Sequence, residues 1–148
     1  MNVVTDDMPF IALIDDDGHS AHLLTRMLTA NGSPQVIHVD SAEAGEAFLL
    51  ECLSDIEREW PGLVIVDLKA HSGANLEFVT RHQALLRQKG IPLAVMMQTT
   101  DRADRQAMQD AGAAAVFFRQ AELEAYRREA AAIVSFWARN QRLDAVGM

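Results

Sequence analysis

The sequence predicts an α/β domain built on a doubly wound, five-stranded parallel sheet, and three observations predict it. Short apolar runs recur along the chain, as strands buried on both faces require. Segments with apolar residues at helical spacing separate them. Proline and glycine mark the joins: Pro9, Pro34, Pro61 and Pro92 each stand just before an apolar run. Gly32, Gly62 and Gly90 stand beside the last three, and Gly112 precedes a fifth run. Glycine ends helices and proline cannot continue them, so the pattern reads helix, stop, strand, repeated.

The first strand is expected over Phe10 to Asp15. A helix carrying Leu23, Leu24, Met27 and Leu28 follows, and a short second strand runs from Gln35 to Val39. Ser41 is a plausible N-cap for a long helix bearing Ala44, Ala47, Phe48, Cys52 and Ile56. The third strand is Leu63 to Asp67. The third helix, Ala74 to Gln88, places Leu76, Val79, Gln83 and Leu86 on one side. The fourth strand is Ile91 to Gln98, the fourth helix Arg102 to Ala111, and the fifth strand Ala114 to Phe118. The last helix, Glu122 to Arg139, aligns Leu123, Tyr126, Ala130, Ile133 and Trp137. Connections are short, so one domain is expected over 9–139, with flexible ends at 1–8 and 140–148.

Composition narrows the function classes. The 148 residues suit one domain, and 49% are hydrophobic, enough for a full core. A net charge of −8 argues against nonspecific nucleic-acid binding, which needs a basic face. A lone cysteine, Cys52, makes no internal disulfide, and the start of the chain shows no signal-peptide pattern. No apolar run approaches a membrane span. A cytoplasmic protein without membrane or nucleic-acid partners is expected.

The chemistry gathers at strand ends. The first strand runs into Asp15, Asp16 and Asp17, and the third into Asp67. The carboxyl end of a parallel sheet is where α/β proteins bind ligands. Carboxylates crowded there repel one another unless a cation joins them, and hard oxygen donors suit Mg²⁺. Asp67 becomes a nucleophile candidate, with Asp15 and Asp16 as metal holders. Asp17 is expected only as a turn residue or helix cap. Lys69, two residues past Asp67, could approach this rim, although a solvated lysine is the blander reading. The five histidines show no metal-ligand spacing.

An acidic pair after strand one and an acid after strand three of a (βα)₅ chain resembles the response-regulator receiver domain, which has a flavodoxin-like fold. Ala111-Gly112-Ala113 resembles the turn common before its fifth strand. The long Glu43–Pro61 segment, Thr99-Thr100 and Ser135-Phe136-Trp137 are similar to regulators paired with bacterial phytochromes. The resemblance implies that Asp67 accepts a phosphoryl group from a sensor histidine kinase, such as a bacteriophytochrome. It implies Mg²⁺ held by Asp15, Asp16 and Asp67, with Thr99 and Arg119 contacting the phosphoryl oxygens. It also implies a homodimer through the fourth helix, fifth strand and fifth helix.

Five positions depart from the family pattern. Arg119 stands in place of Lys and Gln120 in place of Pro. Ungapped spacing from Gly112 puts Met97 at the Ser/Thr position, with Thr99 fitting only if the helix is two residues shorter. Val116 replaces an aromatic residue, with Phe117 beside it, and His71 replaces a proline. Three functions are therefore expected in descending order. The first is a stand-alone response regulator of a two-component phosphorelay, acting by protein contact and not as an enzyme beyond self-dephosphorylation. The second is a degenerate pseudo-receiver that serves as a scaffold. The third is a small phosphohydrolase, disfavoured because no second acid is placed to activate water.

Overall fold

The computed structural model describes residues 9–146, with side chains described through 141; the expected flexible segment 1–8 lies outside the described residues. Strands are β1 (Ile11–Asp15), β2 (Val36–Val39), β3 (Leu63–Asp67), β4 (Leu93–Gln98) and β5 (Ala115–Arg119). Helices are α1 (Gly18–Ala30), α2 (Ala42–Leu53), α3 (Ala74–Gln88), α4 (Arg105–Asp110) and α5 (Leu123–Val146). A 3₁₀ segment, Thr99–Asp104, leads from β4 into α4. The expected alternation is present throughout.

The strands form one parallel sheet in the order β2-β1-β3-β4-β5. The order reverses between β1 and β3, and a crevice opens at that switch point. Residues Ile11, Leu13, Leu63 and Ile65 face α1 and α5. Ala12, Ile14, Val64 and Val66 face α2, α3 and α4. Alternation on the strands thus feeds two cores, one on each side of the sheet. The register pairs Asp15 directly with Asp67, so both acids leave the sheet at the same height.

Two glycines matter to this packing. A Cβ on Gly45 would lie 2.9 Å from Ile14, so its absence lets α2 press against β1. Gly112 adopts φ +114°, a conformation that costs side-chain-bearing residues, and turns the chain from α4 into β5.

Several helix details differ from the sequence expectation. The helix α2 ends at Leu53, and Ile56, expected on its stripe, is 87% exposed. Its buried face is Gly45, Leu49, Cys52 and Leu53, one position on from the expected set. In α3 the buried face is Ala74, Phe78, Val79, His82 and Leu86, while Leu76 points outward. Leu123, expected on the apolar stripe of α5, begins that helix and is half exposed. A short helix with many alanines and leucines offers two overlapping stripes, and only contact with the sheet selects between them. The helix α5 continues to Val146, past Arg139, and Gln141 donates to the Gly62 carbonyl at 3.1 Å. Within 140–148, expected as a flexible end, the backbone is therefore helical as far as 146; 147–148 lie outside the described residues.

Candidate functional site: a charge-balanced acidic rim

The strand ends of β1 and β3 deliver Asp15 and Asp67 into the crevice, and both residues are 0% exposed. Two ionised carboxylates side by side in a buried place need counterions. The structure supplies two. The guanidinium of Arg119, at the end of β5, donates from Nη1 to Asp67 Oδ1. The ammonium of Lys69, in the loop after β3, donates to Asp15 Oδ1 at 2.8 Å and reaches Asp67 Oδ1 at 3.1 Å. The same ammonium also donates to the Asp67 carbonyl at 3.0 Å. Burial pushes the Asp67 carboxyl above its usual range, and Asp15 adds to the push, while Arg119 and Lys69 hold it back.

The remaining oxygens are placed by local backbone. Asp15 Oδ1 also accepts from the Asp17 amide at 2.8 Å. Asp15 Oδ2 is buried without a hydrogen-bond partner. Asp67 Oδ2 faces the Ser20 hydroxyl at 3.4 Å. Asp17 caps α1 by accepting from His19 and Ser20 amides, as the sequence predicts, and the Ser20 amide is the main cause holding its carboxyl below the usual range. The β2 edge contributes His38, whose Nε2 sits 2.8 Å from the Asp15 carbonyl.

Asp16 behaves differently from its neighbours. Both of its oxygens bind the loop after β3: Oδ1 accepts from the Lys69 amide at 2.9 Å, and Oδ2 accepts from the Ala70 amide at 2.9 Å. Its carboxylate therefore fixes the loop that carries Lys69. Asn75 braces the same loop by accepting from the Leu68 amide at 2.8 Å and donating to the Met96 carbonyl at 3.1 Å.

As arranged, these residues do not fit a divalent ion. The gap between Asp15 and Asp67 is filled by Lys69, and Asp16 faces backbone amides. Among the described residues, no group of three His, Cys, Asp or Glu side chains is disposed to hold a metal. The expected metal set of Asp15, Asp16 and Asp67 is thus near at hand without converging. Asp15 Oδ2, buried, is the one oxygen of these three carboxylates without a hydrogen-bond partner.

The rim toward β4 and β5 is less polar. Met97, buried, stands opposite Phe118 in the register, and Gln98 stands opposite Arg119. Both Met97 and Gln98 line the cleft shared by Lys69, Asn75 and Arg119. Thr99 sits beyond them at the start of the 3₁₀ segment, half-buried. Val116 packs toward the α2–α4 core, whereas Phe117 faces α5 and meets Phe136 edge to face at 6.0 Å. Trp137 is buried, as expected for the residue that closes the core.

The structure therefore brings Asp15, Asp67 and Arg119 together, sets Asp16 to a neighbouring task, and leaves Thr99 at the margin. Sequence reasoning underrated Lys69 and missed Asn75 and Ser20. Charge arithmetic offered a signal for Lys69, because two buried acids ask for two cations and Arg119 is only one. Asn75 and Ser20 carry no signal in spacing; their roles exist only once the loop is folded.

Comparison with solved structures yields response-regulator receiver domains over most of the chain. The phosphorylated cyanobacterial phytochrome response regulator RcpA superposes with a TM-score of 0.71 at 20% identity, covering 88% of this chain and 94% of that one. The Mn²⁺-bound form of response regulator Rcp1 gives the same TM-score, identity and coverage. A receiver domain protein from Clostridium thermocellum gives 0.72 at 13% identity, covering 92% and 98%. No protein-family model and no curated protein sequence matches the chain. At these identities the likeness establishes the fold, which is the flavodoxin-like receiver fold.

Proposed function

We propose that the chain is a response regulator receiver of a two-component phosphorelay, with Asp67 as the phosphoacceptor. The observation that carries this reading is the placement of Asp67: buried at the carboxyl end of β3, beside Asp15, under two cationic side chains from separate elements. Transfer would run from a phosphohistidine of a sensor kinase. A carboxylate oxygen of Asp67 attacks phosphorus, the P–N bond breaks, and the leaving imidazole keeps the bonding pair. The acyl phosphate adds negative charge to an already acidic rim. Arg119 is suited to meet it, since a guanidinium binds phosphoryl oxygens in a planar fork. The likeness to phytochrome response regulators supports a photoreceptor kinase as donor.

Output would pass through protein contact. Phe117 and Phe136 are half-buried at the β5–α5 side and pack on each other. This supports a homodimer through α4, β5 and α5 with two-fold symmetry. Phe136→Glu should shift sedimentation toward the monomer without changing circular dichroism. A wild-type chain that sediments as a monomer at tens of micromolar would remove this part of the proposal.

A second reading has its own observation. Met97 at the end of β4 places a thioether, not a hydroxyl, in the cleft facing Arg119. A site with a thioether in place of a hydroxyl there favours a pseudo-receiver that binds partners without phosphorylation. One experiment separates the two. Wild type and Asp67→Asn are incubated with acetyl phosphate, with and without a divalent cation, and weighed intact. A phosphoryl adduct on wild type that Asp67→Asn abolishes supports the receiver. No adduct under any condition supports the scaffold.

A further inference from the structure

We propose that the Lys69 ammonium is the resident cation of the acidic rim, occupying the place between Asp15 and Asp67 that a divalent ion would need. An ammonium has three donors. Here it meets three acceptors: Asp15 Oδ1 at 2.8 Å, Asp67 Oδ1 at 3.1 Å and the Asp67 carbonyl at 3.0 Å. A buried charge persists only where it is both paired and hydrogen-bonded, and Lys69 satisfies both conditions.

The charge count agrees. Asp15 and Asp67 carry two negative charges, and Lys69 and Arg119 carry two positive ones. Each buried acid is matched by a cation, and the further charge of Asp16 is turned onto the Lys69 and Ala70 amides. A divalent ion added to this arrangement would meet two cations at contact distance, and that repulsion is large in a poorly solvated place. Binding of the ion therefore requires Lys69 to leave.

The loop is built to keep Lys69 in place. Asp16 accepts from the Lys69 amide with both oxygens, at 2.9 and 3.1 Å, and from the Ala70 amide at 2.9 Å. Asp16 is in this sense a positioning residue that holds the backbone from which the ammonium folds back. The side chain of Lys69 is 26% exposed, whereas Asp15 and Asp67 have none of their side chains in solvent. The ammonium thus has a path outward that the acids lack. Asp15 Oδ2, buried beside the ammonium, is left without a hydrogen-bond partner while Lys69 holds Oδ1. Lys69 and a divalent ion are alternative occupants of one position.

The assignment concerns occupancy of the rim and holds whether or not Asp67 is phosphorylated, so its failure is distinct from failure of the proposed transfer. It is tested by Mn²⁺ titration, read by water-proton relaxation, on wild type and Lys69→Met, a variant of similar length without charge. We expect Lys69→Met to bind Mn²⁺ at least about tenfold more tightly, because a like charge has left the site. Melted in chelator, the variant should fall below wild type, and Mn²⁺ should raise its Tm while leaving that of wild type nearly unchanged. Equal affinity in the two proteins, or binding in neither, overturns the proposal. A measurement on wild type alone guards against a variant that folds poorly. The Lys69 ammonium protons, followed by ¹⁵N NMR, should exchange slowly with water and persist when Mg²⁺ is added at equimolar concentration. An ammonium signal like that of free lysine overturns the assignment as well.

Discussion

The two halves of the sheet's carboxyl rim are built to different standards. At the β1–β3 end, Asp15 and Asp67 are fully enclosed, and two cations from separate loops and strands converge on them. At the β4–β5 end, Met97 and Gln98 face the cleft, Thr99 stands off, and a 3₁₀ segment replaces the first turns of a regular helix. The first half holds charge at fixed positions. The second half lacks a hydroxyl close to that charge. The difference teaches that fixed charge and hydroxyl donors need not be built together along one sheet rim, and that in this chain the charge is the part held at fixed positions.

The largest expected effect breaks the tighter half. Arg119→Ala leaves Asp67 buried with one cation instead of two, and removing one partner of a buried ion pair costs about 3 kcal/mol. Urea unfolding measures it, and a loss below about 1 kcal/mol would mean that the acids are less enclosed than the contrast requires.

A pH series sharpens the same half. Burial holds the folded-state pKa of Asp67 above the usual 3.8. Its contribution to stability is then fully present below the unfolded value and is lost as pH rises through the raised one. Asp67→Asn should remove that part of the slope from unfolding curves as pH rises above the usual 3.8. Superimposable slopes in wild type and variant would refute the raised pKa.

The looser half should respond less in stability. Met97→Thr places a hydroxyl facing the cleft, and the lost apolar volume of this buried side chain costs about 2 kcal/mol. The same variant should accept more phosphoryl label from acetyl phosphate than wild type, if a missing donor limits that half. Thr99→Ala should change stability by less than about 0.5 kcal/mol and labelling not at all, since its side chain lies outside the cleft. A large loss of label in Thr99→Ala would place Thr99 inside the working site and collapse the contrast.

The sequence carried the alternation of elements and the strand-end acids, which follow from periodicity and from the chemistry of strand ends, both of which are local. That Arg119 belongs to the same site came only through the resemblance to receiver domains. The sequence carried the helix faces less well. The stripe of α2 shifts by one residue because Gly45 presses on Ile14, a contact that no helical periodicity contains. The position of Lys69 was hidden for a similar reason. A lysine two residues past a strand points to solvent by default, and it turns inward here because Asp16, more than fifty residues earlier, holds its amide. Thr99 and Met97 compete for one place in a spacing argument, and the extension of β4 through Gln98 decides between them.

Asn75 has a further consequence. One side chain holds the amide just after β3 and a carbonyl of β4 at once. The loop carrying Lys69 therefore cannot swing away from the acids without first giving up a tie to the neighbouring strand. The ammonium can rotate outward on a backbone that stays fixed, whereas movement of the backbone itself must break the tie to Asn75, so amide exchange at Leu68 would clock how often the loop, and not the side chain alone, opens.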